Sequence, residues 1–225
     1  MDSPNAPKHV GITLCSADDY AYAESKGIDL KELYEKRLRI VLGILELQVS
    51  LSIPIVTVYL LPSGLSSAEG FDANADSIEE LFLAVKDSTY VHGNQVKVSV
   101  LGKWYDLPGR VVDAIKGMIE ATKDYDRFFF NICVNYDGQD EIVDACRIVA
   151  SKVKSDRLDA DSITKEVIKD SIYASYFIPP ELIIINGDKR LDGFLLWDSA
   201  GSRVHFTGRQ WHEFRKRDFL KAMKA

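Results

Sequence analysis

Apolar residues along this chain switch repeatedly between two periods. Short β-branched or apolar runs at His9 to Leu14, Ile55 to Leu61, Val96 to Leu101, Arg127 to Asn135 and Glu181 to Ile185 read as strands, with a shorter one near Val204. Between them the spacing changes to three and four. Leu30, Leu33, Tyr34, Leu38, Val41, Leu42, Leu45 and Val49 form one stripe, opened by Asp29 with Glu32 as a capping-box partner. Ser77 with Glu80 predicts the start of a helix whose apolar face is Ile78, Leu81, Phe82 and Val85, after a small-residue loop from Pro62 to Asn74. Pro108 suits a first helical turn, followed by Val111, Ile115, Met118 and Ile119 on one face. Asp137-Gly138 reads as a turn, and a helix from about Asp140 carries Ile142, Ala145, Cys146, Val149 and Val153. A polar helix from Asp161 and a terminal helix with Trp211, Phe214 and Phe219 complete the pattern.

Strands alternating with helices at this spacing predict an α/β fold: a mostly parallel sheet flanked by helices in one domain spanning residues 1–225. Ligands of such sheets sit beyond the carboxyl ends of the strands, here the segments after Leu14, Leu61, Asn135 and Ile185.

Composition changes this picture little, and charge changes it more. At 225 residues with 46% hydrophobic and 28% charged residues, the chain has a globular balance that excludes disorder and fibrous repeats. No apolar run reaches a membrane-spanning length, and the first eight residues lack the apolar stretch of a signal peptide. Cys15, Cys133 and Cys146 show no paired spacing, which fits a reduced, cytoplasmic protein, and the last two read as core thiols. From Gly201 onward, seven basic and two acidic residues give a local +5, which leaves −11 on the first 200 residues of a chain with net charge −6. An acidic body argues against nucleic-acid binding. The basic tail suits an acidic partner, a peripheral contact with an anionic membrane, or a solvated helix face.

Generic motifs supply no reaction. There is no G-x-G-x-x-G, Walker A, G-x-S-x-G or H-E-x-x-H, and the four histidines have no metal-ligand spacing.

Longer segments carry a resemblance. Asn131 to Ile142 reads N-I-C-V-N-Y-D-G-Q-D-E-I, and Gly187 to Trp197 reads G-D-K-R-L-D-G-F-L-L-W. Phe206-Thr207, and Trp211 through Phe219-Leu220, follow in order, while His9-Val10 and Val56-Thr57-Val58-Tyr59 precede them. These segments resemble the cis-prenyltransferases, the undecaprenyl and dehydrodolichyl diphosphate synthases. The resemblance implies a six-stranded sheet, a dimer and a hydrophobic tunnel for a growing polyprenyl chain. It also implies condensation of isopentenyl diphosphate onto an allylic diphosphate with magnesium.

Against the family pattern, Cys15 stands at its metal- and diphosphate-binding aspartate, Asp19 at an arginine, and Tyr34 near its histidine. Ile184 stands at an arginine of the second motif, Asp192 at its serine, and Arg203 at a metal-binding glutamate. The family's R-x-G tail has no counterpart before Ala225. Of the phosphate-binding set, Arg190 remains.

The resulting expectation is a catalytically deficient homologue with no catalytic residues, no metal ligands and no cofactor. It would serve as an accessory subunit of the Nogo-B receptor type in a heteromeric polyprenyl diphosphate synthase, beside a catalytic subunit or as a homodimer. Arg190 and Asp19 are the residual substrate-binding candidates, and Arg190 could equally pair with Asp188 or Asp192. The alternative is an active cis-prenyltransferase with a rearranged site, in which Asp18 or Asp19 and Arg190 handle diphosphate with Mg²⁺. A third reading is a polyprenyl-lipid-binding protein with Leu81, Phe82 and Val85 lining the tunnel, residues that any core helix would also carry.

Overall fold

The computed structural model describes residues 6–15 and 19–224. Six strands form one sheet: β1 (His9–Thr13), β2 (Ile55–Pro62), β3 (Val96–Leu101), β4 (Phe128–Tyr136), β5 (Leu182–Ile185) and β6 (Arg203–Phe206). Their order across the sheet is β3-β4-β2-β1-β5-β6, and every pairing is parallel. The expected mostly parallel sheet is therefore wholly parallel.

The strands are apolar on both sides because both faces are covered. On one face, Val10, Ile12, Val56, Val58, Phe130 and Ile132 meet α2 (Leu30–Ser50), α3 (Phe71–Lys86) and α5 (Gly109–Thr122). On the other, Tyr59, Cys133, Ile183 and Ile185 pack with Ala145 of α6 (Gly138–Lys154) and with Ile172 and Phe194. The remaining helices are α1 (Asp19–Lys26), α4 (Thr89–Gly93), α7 (Lys165–Lys169) and α8 (Lys216–Ala222).

Several local expectations need correction. Helix α3 starts at Phe71, before the Ser77–Glu80 pair. Phe71, Ala75, Ile78, Phe82 and Val85 already repeat at three and four, and Gly70 in the left-handed region (φ 79°) opens the helix. Ser77 is interior, its hydroxyl donating to the Tyr34 carbonyl. Asp137 caps α6, so the Asp137-Gly138 step enters a helix directly. The polar helix expected from Asp161 shrinks to one 3₁₀ turn and the short α7, and Trp211 sits in a 3₁₀ turn before α8. Cys133 is buried as expected, but Cys146 is exposed, because the buried face of α6 is Gly138, Glu141, Ala145 and Val149.

Candidate active site

A cavity of about 230 Å³ opens beyond the carboxyl ends of β1, β2 and β5 and beside the N-terminus of α6. Its floor is Thr13, Cys15, Tyr59 and Pro62, and its rim carries Asp137, Asp188, Arg190 and Asp192. Gln210 closes it from the C-terminal segment.

Asn186 fixes the geometry of the β5 exit. Its backbone N–H donates to Thr13 Oγ1 at 2.9 Å, and its side-chain amide donates to the Thr13 carbonyl at 2.7 Å. Thr207 Oγ1 donates to the Asn186 Oδ1 at 2.8 Å. Beyond Asn186 the backbone turns sharply, with Gly187 (φ 86°), Asp192 (46°), Gly193 (77°) and Leu195 (46°) all left-handed. Such clustering of costly backbone conformations at a strand exit marks a site held in shape by its surroundings. At the β4 exit, Asp137 Oδ1 accepts the N–H groups of Gln139 and Asp140, at 2.7 and 3.1 Å. Gly138 packs backbone to backbone against the Gly193 carbonyl and touches Leu196, so a Cβ at this position has no room.

The sequence-derived candidates separate in space. Arg190 lines the cavity and also pairs with both neighbouring acids, reaching Asp188 at 2.9 Å and Asp192 at 3.4 Å. Asp19 is not among the described residues that line it. It lies buried at the start of α1 and accepts a hydrogen bond from Trp211 Nε1 at 2.7 Å. Asp18 lies outside the described residues. Leu81, Phe82 and Val85 are packed in the core between α3 and the sheet.

Sequence reasoning missed Arg37, a buried cation on α2. It donates to Asn74 Oδ1 and to the Leu60 carbonyl, and stacks on Tyr34 with 4.5 Å to the ring centroid. A signal existed: position 37 falls four after Leu33 and four before Val41, on the apolar stripe itself. Thr13, Asn186 and Gln210 were missed as well, and their uncharged side chains give no such signal.

Cys15 bears on the chemistry at the end of β1. Burial first, and then the Asp19 carboxylate, push its thiol well above the ordinary range. With no metal cation beside it, the thiol is neutral at physiological pH.

Comparisons with known proteins place the chain in a family and a fold. Residues 19–225 match the family model described as "Putative undecaprenyl diphosphate synthase". The chain belongs to the cis-prenyltransferase family. A tritrans,polycis-undecaprenyl-diphosphate synthase (geranylgeranyl-diphosphate specific) from Methanopyrus kandleri is 37% identical over 97% of this chain and 81% of its own length. One of the same name from Methanocaldococcus jannaschii is 33% identical over 100% of this chain and 81% of its own length. Among solved structures, lavandulyl diphosphate synthase from Lavandula x intermedia, in complex with dimethylallyl diphosphate, superposes with a TM-score of 0.90. That likeness covers 99% of this chain and 95% of the other at 24% identity, which establishes the shared fold.

Two expectations change with these findings. Relatives this similar are named synthases, which conflicts with a pseudoenzyme, and no finding supports an accessory subunit of the Nogo-B receptor type. The expectation of no cofactor is overturned for the same reason, since active cis-prenyltransferases use Mg²⁺. The described residues hold no cluster of three or more His, Cys, Asp or Glu side chains able to cage a metal alone. Mg²⁺ needs no such cage: it takes one or two carboxylates together with substrate phosphates and water. The hard oxygen donors of Asp137, Asp188 and Asp192 around the cavity fit that requirement.

Proposed function

We propose that this family member is an active, Mg²⁺-dependent cis-prenyltransferase that adds isopentenyl diphosphate to an allylic prenyl diphosphate such as geranylgeranyl diphosphate. The observation that carries this reading is the 37% identity, sustained over 97% of the chain, with a synthase named as specific for that primer.

The cavity supplies matching roles. Thr13 Oγ1 already accepts from Asn186 N–H, which leaves its own O–H to donate to a phosphate oxygen. Gln210 offers an amide donor from the opposite wall. Arg190 brings a guanidinium suited to phosphate, but three carboxylates share the rim with it. This local excess of negative charge repels a bare diphosphate. Asp188 or Asp192 would help hold Mg²⁺, which would supply the charge neutralisation that diphosphate departure requires. Arg190, kept at the rim by both acids, would face the same diphosphate. The family's dimer is retained in this reading as a homodimer.

The purified chain, given Mg²⁺, labelled isopentenyl diphosphate and geranylgeranyl diphosphate, is expected to yield products extractable into organic solvent. Chelation should stop their formation, and Arg190→Ala should slow it on the order of 100-fold. A chain inactive alone that accelerates a catalytic relative on mixing would instead support the accessory-subunit reading.

A further inference from the structure

A second concave surface shares no residue with the candidate active site. It is a groove of about 440 Å³ between α2 and the segment that leads into α8. Ile40, Gly43, Ile44, Leu47 and Phe214 make its floor. Gly43 deepens it, because nothing lies within 4 Å of where its Cβ would be. The rim carries three exposed cations, Arg39, Arg215 and Lys216, against a single acid, Glu46.

Those cations are available. None of the three forms an ion pair among the described residues. Two acids lie within two residues of these cations: among the described residues Glu213 forms no ion pair with them, and Asp218 caps α8 by accepting the Arg215 backbone N–H at 3.0 Å and faces Arg209 at 3.6 Å. Folding also adds Arg39, from the acidic first part of the chain, to the basic tail. Two cations of the +5 tail, Arg215 and Lys216, thus share a rim with Arg39 in a chain whose first 200 residues sum to −11.

An apolar trough edged with unpaired cations matches an aliphatic chain that carries a phosphate head. A peptide strand would leave its backbone N–H and C=O groups unpaired against the apolar floor. Free phosphate would gain nothing from that floor. We propose that this groove docks the protein on an anionic lipid bilayer, with one lipid chain against Gly43 and Leu47 and lipid phosphates on Arg39, Arg215 and Lys216. The net negative charge of the rest of the chain opposes such a membrane, and the three rim cations favour approach by this face within the ~8 Å reach of charge at physiological salt. Each Lys or Arg at an anionic surface strengthens partitioning about five-fold, and each buried CH₂ adds a contribution of similar size.

Co-sedimentation of the full chain with two kinds of vesicle, phosphatidylcholine alone and phosphatidylcholine mixed with phosphatidylglycerol, tests the proposal. The wild-type protein is expected to sediment with the mixed vesicles only and to release as salt is raised. Replacing Arg39, Arg215 and Lys216 together by Gln should weaken partitioning about 100-fold. Gly43→Phe leaves the charge intact and fills the trough, and should weaken it about ten-fold. Circular dichroism of both variants checks that the fold is retained. Absence of sedimentation, equal sedimentation with both vesicles, or wild-type partitioning of either variant overturns the proposal. A smaller assembly for the triple variant by light scattering, without vesicles, would assign the groove to a second copy and overturn it too.

Discussion

Arg37 shows how a single side chain can be governed by its surroundings. A guanidinium taken wholly out of water is tolerated only when its charge and donors are answered. Here Asn74, the Leu60 carbonyl, the ring faces of Tyr34 and Trp211, and the nearby Asp19 carboxylate answer them. Removing one member strands the others, so Arg37→Ala is expected to cost about 3 kcal/mol or more in urea unfolding. His9 makes a pH-dependent case. Burial lowers its pKa to about 4, while Nδ1 meets the Ile178 carbonyl at 2.6 Å and Nε2 meets the Thr57 hydroxyl at 2.8 Å. The folded state holds this ring neutral where the unfolded chain, with a pKa near 6.5, has taken up a proton. Stability from His9 is therefore complete above pH 6.5 and falls by about 3 kcal/mol as the pH drops to 4, a slope that His9→Gln should remove. The cysteines offer a simpler check. Cys146 should react with a thiol reagent at once in the folded protein, and Cys133 only after unfolding.

Elements depend on their ends. Asp137 caps α6 with two backbone hydrogen bonds, and Asp137→Ala should cost about 1 kcal/mol. Gly138→Ala, one residue on, should cost considerably more in the same urea titration. Its new Cβ would run into the Gly193 carbonyl, and backbone does not yield as a flexible side chain does. That difference separates a helix-end effect from the backbone-to-backbone packing that shapes the cavity. The same elements show how far the chain was readable. The α2 stripe and its Asp29 cap were legible from spacing alone, because a helix must repeat its apolar face. The start of α3 was not, because Ser77 and Glu80 imitate a helix start wherever they occur. Whether Ser77 begins a helix or turns to the Tyr34 carbonyl depends on α2 lying alongside.

At the scale of the molecule, the sheet ties both cores together, since β2, β4 and β5 each contribute to the two faces. Trp211 and Trp104 belong with one core and Trp197 with the other. Tryptophan fluorescence and far-ultraviolet circular dichroism should therefore follow one transition in denaturant, and two separated transitions would contradict a single cooperative domain. The sequence by itself determined the strand-helix alternation, the parallel sheet and the strand ends that build the cavity. Those follow from periodicity and from the short-range chemistry of caps and turns, which act along the chain. Arg190 was legible for the same reason, lying between two acids only two residues away on either side. Only the tertiary structure decided that Asp19 turns to Trp211, that Arg37 lies buried against Asn74 and the Leu60 carbonyl, and that Arg39 joins Arg215 and Lys216 around one groove. Each of these unites residues far apart in sequence. Burial and charge pairing are properties of a three-dimensional neighbourhood, and that neighbourhood exists only once the helices have packed.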